Sequence, residues 1–478
     1  MELPGFRLSK KTTLPPLRFH NTLSGKIEVF TPLSEKEIKI YNCGPTAYDR
    51  QHIGNLFPPI VANLIQRTLL VWGYSVQEVN NITDFGHISE DEDTEDKMTK
   101  GLRREGMTLT LPHMRALAER YAALFFEDLP LLGVDPGKVT YPRASDYIPE
   151  QIAVIKTLEQ KGYAYRTSDG VYFDTSKFTN YGELGGIRLS GLKEGARIEH
   201  NPQKHTPHDF ALWKLDTKLG WESPWGLGFP GWHTECVAMI FKILGKQIDI
   251  HMGGVDLIPI HHNNEIAQAE AITGKQFVKY WIHNAHITVE GKKVSKSLGN
   301  TIYVSDLVDR GLSPSALRYW FLTAHYRTPT NFTWDAIEGA NTALSRLRIF
   351  FESLATVSHE EPDQKFMNDF YGAFANDLDT PKTIALVWEL IKNPDVSAQS
   401  KRASLLKADE ILGLGLSEPL KSASSSIEVP EAVQALVKER EKARKMKHFA
   451  EADKLRSHIE ELGYDITDTS EGPRLSPR

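Results

Sequence analysis

The chain has 478 residues, of which 40% are hydrophobic and 25% charged, and its formal net charge is −6 at pH 7. A chain of this length exceeds one compact core, so we expect roughly two to four domains. The net charge excludes a basic field over the whole surface, and no apolar run reaches the roughly 18 residues of a membrane-spanning helix.

The N-terminal residues and the cysteine content indicate the compartment. The segment MELPGFRLSKKTTLPPLRFH contains no apolar stretch typical of a secretion signal, and its prolines disfavour an amphipathic transit helix. Only two cysteines occur, Cys43 and Cys236, and they are far apart in the sequence. We therefore expect a cytoplasmic enzyme without a structural disulfide and without a membrane partner, and nothing in the sequence demands more than a monomer.

The first predicted elements form a βαβ pattern. IKIYNCG (38–44) alternates like a strand that ends at a loop, IVANLIQRTLLVWG has helical periodicity, and YSVQEVNNITD is typical of the next strand. Pro58 and Pro59 are expected inside the first helical turn, where a missing N–H costs little. A βαβ unit implies a parallel sheet with a ligand crevice at the carboxyl ends of its strands.

The later segments predict a second α/β run and a helical region. QIDIHMGG and YWIHNAHITVEG are predicted strands on either side of the predicted helix HHNNEIAQAEAITG. Residues 126–224 form an insert between the two runs, with a helix at IPEQIAVIKTLEQKG and a strand at GVYFD. From about residue 305 the pattern is almost wholly helical, and the Ser/Pro-rich linker LSEPLKSASSSIEVP (416–430) precedes a last small module.

The motif HIGN stands at the predicted strand-to-helix turn. A helix N-terminus offers unpaired N–H groups and a positive dipole end to a phosphate. His52 adds a donor for an oxyanion, and Gly54 permits a close approach of ligand to backbone. By itself the motif also fits a turn in which the histidine caps a neighbouring strand.

The segment KKVSKSLGN (292–300) follows a predicted strand. Lys293 and Lys296 can stabilise charge on a triphosphate as it moves toward pyrophosphate, with Ser295 and Ser297 as donors. The alternative is a solvated basic loop.

The two cysteines allow a metal site. His261 and Glu265 are spaced i, i+4 and share one helix face. Together with Cys43 and Cys236 they make a four-ligand set typical of zinc. Neither C-x-x-C nor H-E-x-x-H occurs, so a second interpretation stays open: both cysteines pack as small buried side chains, and His261 with Glu265 is an ordinary helix pair.

In combination these motifs resemble a known family. HIGN and KVSKS, in this order, are similar to the HIGH and KMSKS signatures of class I aminoacyl-tRNA synthetases. Within that class the chain resembles cysteinyl-tRNA synthetase from about residue 22 to 470. The segments that carry the resemblance are YNCGPTAYDRQHIGN, VNNITD, DFALWK, PGWHTECVAM, GGVDLIPIHHNNEIAQAEA, KKVSKSLGN, ALRYWFLTAHYR, NDLDTP and ARKMKHFAEADKLR.

The resemblance implies an α/β fold of defined domain order. A Rossmann-like parallel-sheet catalytic domain, split by an insert, precedes a helical bundle and a small C-terminal anticodon-binding module. The implied limits are 22–125 for the first catalytic half with HIGN, 126–224 for the connective insert, 225–304 for the second half with the KVSKS loop, 305–415 for the tRNA-binding bundle, and 428–470 for the anticodon-binding module.

The resemblance also implies the reaction and its cofactors. L-Cysteine is activated with ATP to cysteinyl-adenylate and transferred to the 3′ end of tRNA-Cys. One Zn²⁺ per chain selects the substrate thiol, and Mg²⁺ accompanies ATP. An apolar pocket separates cysteine from serine poorly, whereas a thiolate is a much better zinc ligand than a hydroxyl, so no editing domain is expected.

The implied roles of single residues follow from the matching motifs. Thr83 is implied for the substrate carboxylate, Trp232 for the pocket wall and Asp256 for the substrate ammonium group. The implied metal ligands are Cys43, Cys236, His261 and Glu265. The implied catalytic residues are His52, Asn55, Lys293 and Lys296, and the implied ATP-binding residues are His52, Gly54, Asn55 and Lys296.

The C-terminal module is rich in basic residues. The resemblance favours anticodon contact by these side chains, with phosphates held by Lys and Arg, whereas the pattern alone also fits a solvated helix with i, i+4 ion pairs. The residues are Lys438, Arg440, Lys442, Arg444, Lys445, Lys447, Lys454 and Arg456.

Two other functions remain as alternatives. A cysteine:amino-sugar ligase of mycothiol synthesis shares the zinc and adenylation halves, but residues 428–470 and the wording CGPTAYD disfavour it. A non-catalytic RNA-binding paralogue is disfavoured by the retained His52, Lys293, Lys296 and metal ligands.

Overall fold

The computed structural model describes most of the chain in two compact units. The described residues are 14–86, 96–186, 201–295, 298–354, 361–417, 431–446, 448–462, 464–469 and 472–477. One unit ends at Ser417 and the other begins at Glu418. Lys296, Ser297 and nearly all of the predicted linker 416–430 lie outside the described residues.

The first unit contains thirteen strands and twelve α-helices within its described residues. The strands are β1 (Arg18–Asn21), β2 (Lys26–Val29), β3 (Glu37–Asn42), β4 (Ser75–Asn80), β5 (Ala164–Arg166), β6 (Gly170–Phe173), β7 (Phe210–Leu215), β8 (Gly228–Pro230), β9 (Ile248–Gly254), β10 (Val278–Asn284), β11 (Ile287–Val289), β12 (Lys292–Lys293) and β13 (Thr330–Phe332). The helices are α1 (Ile53–Val71), α2 (Lys97–Arg104), α3 (Leu111–Leu131), α4 (Ile148–Gln160), α5 (Trp232–Ile243), α6 (Asn263–Thr273), α7 (Val304–Asp309), α8 (Pro314–Leu322), α9 (Trp334–Ser353), α10 (Gln364–Ala375), α11 (Thr380–Lys392) and α12 (Ala398–Leu412).

A four-stranded parallel sheet positions the site. Its strand order is β10-β9-β3-β4, and Tyr41 in β3 lies opposite both Val79 in β4 and His251 in β9. Ile38 and Ile40 of β3 are buried in the core. Parallel neighbours place their carboxyl ends at the same edge, so the loops after β3, β4 and β9 meet there. The predicted βαβ unit and its parallel sheet are confirmed.

The position of the two prolines differs from the expectation. Helix α1 begins at Ile53, so Pro58 and Pro59 lie beyond its first turn. They cannot donate to the carbonyls of Gly54 and Asn55 four residues earlier. The helix continues because most of its surface is packed, with the ring of Phe57 stacked on that of Phe321 at 4.5 Å.

The predicted strand YWIHNAHITVEG is divided between two sheets. β10 belongs to the main sheet, whereas β11 pairs with β12 and β13 in another. Between them the Ala285 N–H donates to the carbonyl of Tyr326 at 2.9 Å. The prediction of one strand was wrong because alternation of polar and apolar residues continues through the point where the chain leaves the first sheet.

The insert contains α4 and an antiparallel sheet of order β5-β6-β7-β8. The predicted limit at residue 126 lies inside α3, and the limit at residue 224 lies between β7 and β8 of this one sheet. Residues 187–200 of the insert lie outside the described part of the chain.

Helices α8 to α12 form the predicted helical region. The guanidinium of Arg318 in α8 is buried and donates to the carbonyls of Leu412 at 2.6 Å and Leu132 at 3.0 Å, which joins the ends of α12 and α3. Helix carbonyls at a C-terminus have no partner in their own helix, so these bonds satisfy them.

The second unit consists of α13 (Glu431–Lys445), α14 (Phe449–Glu461), β14 (Tyr464–Thr469) and β15 (Gly472–Pro477). The two strands form an antiparallel hairpin. Its small core contains Val433, Ile459 and Ile466. Across the described part of both units, no helix has the length and apolar character needed to cross a membrane.

Candidate active site and metal centre

The carboxyl ends of β3 and β4 define the base of the site. Cys43 directly follows β3, and its N–H donates to the carbonyl of Met252 in β9 at 3.1 Å. The next residue must be glycine, since a Cβ on Gly44 would lie 1.6 Å from the carbonyl oxygen of Asn81. Close approach of the two strand ends therefore fixes where the Cys43 side chain lies.

Four potential metal ligands come together from three chain segments. The ligand atoms of Cys43, Cys236, His261 and Glu265 all lie within 4.8 Å of one another. Cys236 Sγ is 3.6 Å from His261 Nε2, and Cys43 Sγ is 3.9 Å from Glu265 Oε1. Tetrahedral zinc bonds of 2.0–2.3 Å separate their ligands by about 3.3–3.8 Å. Two sulfurs, one imidazole nitrogen and one carboxylate oxygen thus fit a zinc ion in type, and the two distances that involve a sulfur are close to this spacing.

A short π-helical turn, Ile258–His262, presents the histidine of this cluster. It runs directly into α6, where Glu265 lies one turn further, and His261 Nε2 is 2.7 Å from Glu265 Oε1. The predicted shared face of His261 and Glu265 is therefore present, although the first part of the predicted helix is a π turn. Single π turns frequently occur at functional sites.

The cluster concentrates charge in a desolvated region. Burial opposes ionisation of Cys236, but the hydrogen bond with Cys43 and the hydrogen bond and charge of His261 together outweigh it and lower the pKa of Cys236 to about 6. Burial and the neighbouring Cys236 raise the pKa of Cys43 well above that of an ordinary thiol. Burial also disfavours charge on His261 and Glu265, yet their attraction raises the pKa of His261 to about 10, and His251 and His261 lower that of Glu265 to about 2.

These values describe a thiol beside a thiolate and an imidazolium beside a carboxylate. A divalent cation bound by the four side chains replaces the protons held on Cys43 and His261.

Three buried histidines next to the cluster were not identified from the sequence. His251 Nε2 lies 2.6 Å from Glu265 Oε2, His262 Nδ1 lies 2.8 Å from His283 Nε2, and His283 Nδ1 lies 2.8 Å from Thr22 Oγ1. Burial, followed by the neighbouring His251, lowers the pKa of His262 well below its usual value and that of His283 to about 3. Two of them, His251 and His283, could have been identified from the sequence, because each is a histidine inside an otherwise apolar predicted strand, DIHMG or YWIHN.

Two of these histidines, His251 and His262, create a second possible donor set. Cys43, His251, His262 and Glu265 also have ligand atoms within 4.8 Å of one another. The two sets share Cys43 and Glu265, so they describe one metal centre with two choices of partner ligands. Only the first set contains both thiols.

The three residues expected to hold the amino acid lie around this centre. The ring of Trp232 at the start of α5 is 4.2 Å from that of His261. Asp256 is exposed on the turn after β9. Thr83 is buried, and its hydroxyl donates to Glu235 Oε2 at 2.9 Å. The structure therefore leaves the Asp256 carboxylate accessible, whereas the Thr83 hydroxyl has a partner within the protein.

The HIGN segment forms the N-terminus of α1. His52 is the N-cap residue, and its Nδ1 accepts a hydrogen bond from the Gly54 N–H at 3.1 Å. Since Nδ1 accepts, the ring proton of neutral His52 is on Nε2. Asn55 is exposed and its side-chain amide donates to Gln51 Oε1 at 2.8 Å. The histidine thus caps its own helix.

The chain that follows the KVSKS segment contacts this helix start. The Ile53 N–H donates to the carbonyl of Ile302 at 2.9 Å, which joins α1 to the chain just after the motif. Asn300 accepts from the Ser295 N–H at 2.8 Å and donates to the carbonyl of Lys293 at 3.0 Å. The side chain of Lys293 is exposed, and Lys296 lies outside the described residues. The start of α1 is therefore joined to the chain that follows the second motif.

A third group of acidic and histidine side chains lies in the insert. Asp174, His205 and Asp209 have ligand atoms within 4.8 Å of one another. The carboxylate of Asp209 already accepts hydrogen bonds from the N–H and hydroxyl groups of Thr175 and Thr206 and from the hydroxyl of Tyr165. The Asp209 oxygens are saturated, so this carboxylate organises a loop and is not free to bind a metal.

The basic residues of the second unit are not equivalent. Arg440 is 4% exposed, so it does not belong to a solvated face. Arg444 is half-buried and lies 3.4 Å from Glu441. The exposed members are Lys438, Lys442, Lys454 and Arg456, while the side chains of Lys445 and Lys447 lie outside the described residues.

Comparisons with known proteins agree with this arrangement. Residues 29–342 match the tRNA synthetases class I (C) catalytic domain, and residues 427–472 match the Cysteinyl-tRNA ligase anticodon binding domain. The chain is 42% identical over 469 residues to a cysteine–tRNA ligase 1 of Burkholderia lata, covering 96% of this chain and 97% of that protein. It is 38% identical over 488 residues to a cysteine–tRNA ligase of Treponema denticola, covering 95% and 98%.

Among solved structures, the chain is similar to a Mycobacterium tuberculosis methionyl-tRNA synthetase in complex with methionyl-adenylate. The TM-score is 0.53 at 14% identity, and the match covers 79% of this chain and 90% of that one. This likeness concerns the fold alone, and it confirms the predicted class I architecture. The two matched domains and the full-length relatives show that the chain belongs to the cysteine–tRNA ligase family of class I aminoacyl-tRNA synthetases, which are ligases.

Proposed function

We propose that the protein activates L-cysteine with ATP and transfers the cysteinyl group to the 3′ end of tRNA-Cys. In the first step the cysteine carboxylate attacks the α-phosphate of ATP, which gives cysteinyl-adenylate and pyrophosphate. In the second step a hydroxyl of the terminal ribose attacks the activated carbonyl, and AMP leaves. The observation that carries the proposal is the Cys43–Cys236–His261–Glu265 cluster next to the HIGN helix start.

Zn²⁺ is the cofactor that fits the cluster, and Cys43, Cys236, His261 and Glu265 would hold it. This set is preferred over the one with His251 and His262 because thiolates are strong zinc ligands. His251 then keeps its hydrogen bond to Glu265 and orients that carboxylate. When bound, zinc supplies a Lewis acid that favours the thiolate of cysteine over the hydroxyl of serine.

Residues around the cluster hold the rest of the amino acid. The exposed carboxylate of Asp256 pairs with the substrate ammonium group, and Trp232 forms the adjacent wall. Thr83 lies just after β4 and faces the carboxylate of the bound amino acid. Its hydroxyl is held in place by the hydrogen bond that it donates to Glu235. These contacts orient the carboxylate toward the start of α1, where ATP is expected.

His52, Gly54 and Asn55 bind ATP at the N-terminus of α1. The Nε2–H of His52 donates to a phosphate oxygen, and the helix dipole favours the negative charge there. Lys293 and Lys296 stabilise the charge that develops on the leaving pyrophosphate, and Mg²⁺ accompanies the nucleotide. Asn300 fixes the chain on both sides of Val294, which limits the positions available to Lys293.

The C-terminal module, residues 428–470, contacts the anticodon of tRNA-Cys. Its exposed Lys438, Lys442, Lys454 and Arg456 supply the contacts to phosphates. The helical region 305–415 contributes further tRNA contacts, and residues 22–125 and 225–304 form the catalytic halves around the insert 126–224. We further propose that the protein acts as a cytoplasmic monomer.

The test combines two assays on the zinc-loaded protein. ATP–pyrophosphate exchange must depend on cysteine and be weak with serine, and tRNA-Cys must be charged in the presence of ATP. Absence of cysteine-dependent exchange would refute adenylate formation. Exchange without charging of tRNA-Cys would refute the second step and favour a cysteine ligase with a different acceptor.

A further inference from the structure

Asn263 occupies the junction between the π turn Ile258–His262 and helix α6. Its side chain is 2% exposed. His261 precedes it by two residues and Glu265 follows by two, so any change in its position displaces two of the ligands proposed for zinc. It is itself neither a donor in the cluster nor close to a substrate group assigned above.

The carboxamide of Asn263 makes three hydrogen bonds, two with Leu184 in the insert and one with Ile258 at the start of the π turn. Its Oδ1 accepts from the Leu184 N–H at 3.3 Å. Its Nδ2 donates to the carbonyl of Leu184 at 3.1 Å and to the carbonyl of Ile258 at 2.7 Å. One side chain therefore joins both polar groups of a residue in the insert to the first carbonyl of the π turn.

These partners fix the orientation of the amide. The Leu184 N–H can only donate, so it requires Oδ1, and the carbonyl of Ile258 can only accept, so it requires Nδ2. The opposite orientation would place two donors together and two acceptors together. A carboxylate at the same position would likewise face two carbonyl oxygens without a proton to share. The position is specific for a group with one acceptor and two donors.

Neighbouring contacts extend the connection between the insert and α6. The Tyr181 hydroxyl donates to Asn264 Oδ1 at 2.5 Å. On the other side of α6, the hydroxyl of Thr234 donates to Gln268 Oε1 at 2.9 Å. Thr234 lies in α5, two residues before Cys236. Helix α6, which bears Glu265, is thus linked on one side to residues 181–184 of the insert and on the other side to α5, which bears Cys236. Asn263 lies at the first residue of α6, directly after the π turn.

We propose that Asn263 is a positioning residue that sets the affinity and coordination geometry of the zinc site by fixing the π turn against Leu184 of the insert. The inference rests on the proposed zinc site. It assigns to the insert a role in metal binding, because the backbone of Leu184 is the fixed partner of the turn. Hydrogen-bonded residues behind a ligand commonly change metal affinity by about 10–100-fold when they are replaced.

The experiment compares N263D with wild type and with N63D. The aspartate of N263D keeps the size of the side chain but replaces both donated hydrogen bonds with repulsion between oxygens. Asn63 is a buried asparagine in α1 whose Oδ1 accepts from Arg67, a contact that an aspartate retains, so N63D controls for the introduced charge. N263A is the uncharged second variant, which removes the same bonds if N263D does not fold.

Zinc dissociation constants are measured by chelator competition at a temperature well below unfolding, and the Co²⁺-substituted proteins are compared by absorption spectroscopy. We expect N263D and N263A to bind zinc at least about tenfold more weakly, with altered cobalt d–d bands at saturation, and N63D to match wild type. Zinc binding and cobalt spectra equal to wild type in a folded Asn263 variant would overturn the inference. If the wild-type protein binds no zinc, the proposed metal site itself is refuted. The wild-type measurement therefore distinguishes failure of the metal site from failure of the inference about Asn263.

Discussion

Nε2 of His251 lies 2.6 Å from Oε2 of Glu265, and both side chains are fully excluded from solvent. His251 belongs to β9 and Glu265 to α6, so the contact holds a strand of the central sheet against the helix that bears one of the four clustered side chains. The ring of His251 also stacks on Trp281 with centroids 4.5 Å apart. A ring held from two directions gives the carboxylate of Glu265 a fixed orientation.

Replacing His251 is expected to weaken zinc binding. H251L removes the hydrogen bond to Glu265 and should reduce zinc affinity by about 10–100-fold. H251Q retains a side-chain N–H that can reach the carboxylate, so its loss should be smaller. Chelator competition measures both constants. Equal affinities in wild type and both variants would show that Glu265 does not depend on this partner.

Replacing either cysteine is expected to abolish stoichiometric zinc. C43S and C236S exchange a thiolate for a hydroxyl, which is a far weaker zinc ligand. Metal analysis after gel filtration measures the content per chain. The matched control is D174N, which changes a carboxylate of the Asp174–His205–Asp209 group in the insert. This variant should keep the wild-type zinc content. Retention of zinc in both cysteine variants would refute the ligand set.

Two substitutions of His52 separate its capping role from its role toward ATP. H52A removes both and should lose about 1 kcal/mol of stability together with most exchange activity. H52N keeps an oxygen that can accept from the Gly54 N–H but loses the Nε2 donor. It should be nearly as stable as wild type, with kcat of ATP–pyrophosphate exchange reduced by about 100-fold or more. Thermal unfolding and exchange kinetics measure the two effects. Full activity in H52N would exclude His52 from catalysis.

Glu78 in β4 makes the stability of the protein depend on pH. Burial raises the pKa of Glu78 to about 8, from an ordinary value of 4.5. Between these values the folded chain keeps a proton that the unfolded chain releases, so stability falls as pH rises, by at most about 1.4 kcal/mol per pH unit. E78Q stays neutral in both states.

The expected result is a higher urea midpoint for E78Q than for wild type at pH 8, with a difference that shrinks toward pH 5. E222Q, at an exposed position, is the control, and its difference from wild type should not vary in this way. A constant difference between E78Q and wild type across this range would contradict the prediction.

The sequence by itself determined the elements with strong local patterns. The alternation in IKIYNCG and the periodicity after HIGN predicted β3, α1 and β4 because each pattern lies within one element. The order of HIGN and KVSKS indicated a class I synthetase, and the longer segments such as PGWHTECVAM indicated the family within that class. For the metal ligands, spacing alone favoured packed cysteines, and only the resemblance favoured a zinc site.

The tertiary structure decided what depends on residues distant in the chain. His251, His262 and His283 surround the cluster through contacts between β9, β10 and the π turn, and no periodicity records such contacts. The same holds for Leu184 and Asn263, whose hydrogen bonds join the insert to α6. The sequence determined which side chains are available for the chemistry. Packing of distant segments decided which groups hold those side chains in place, because a hydrogen bond depends on the positions of two groups in space and not on their separation along the chain.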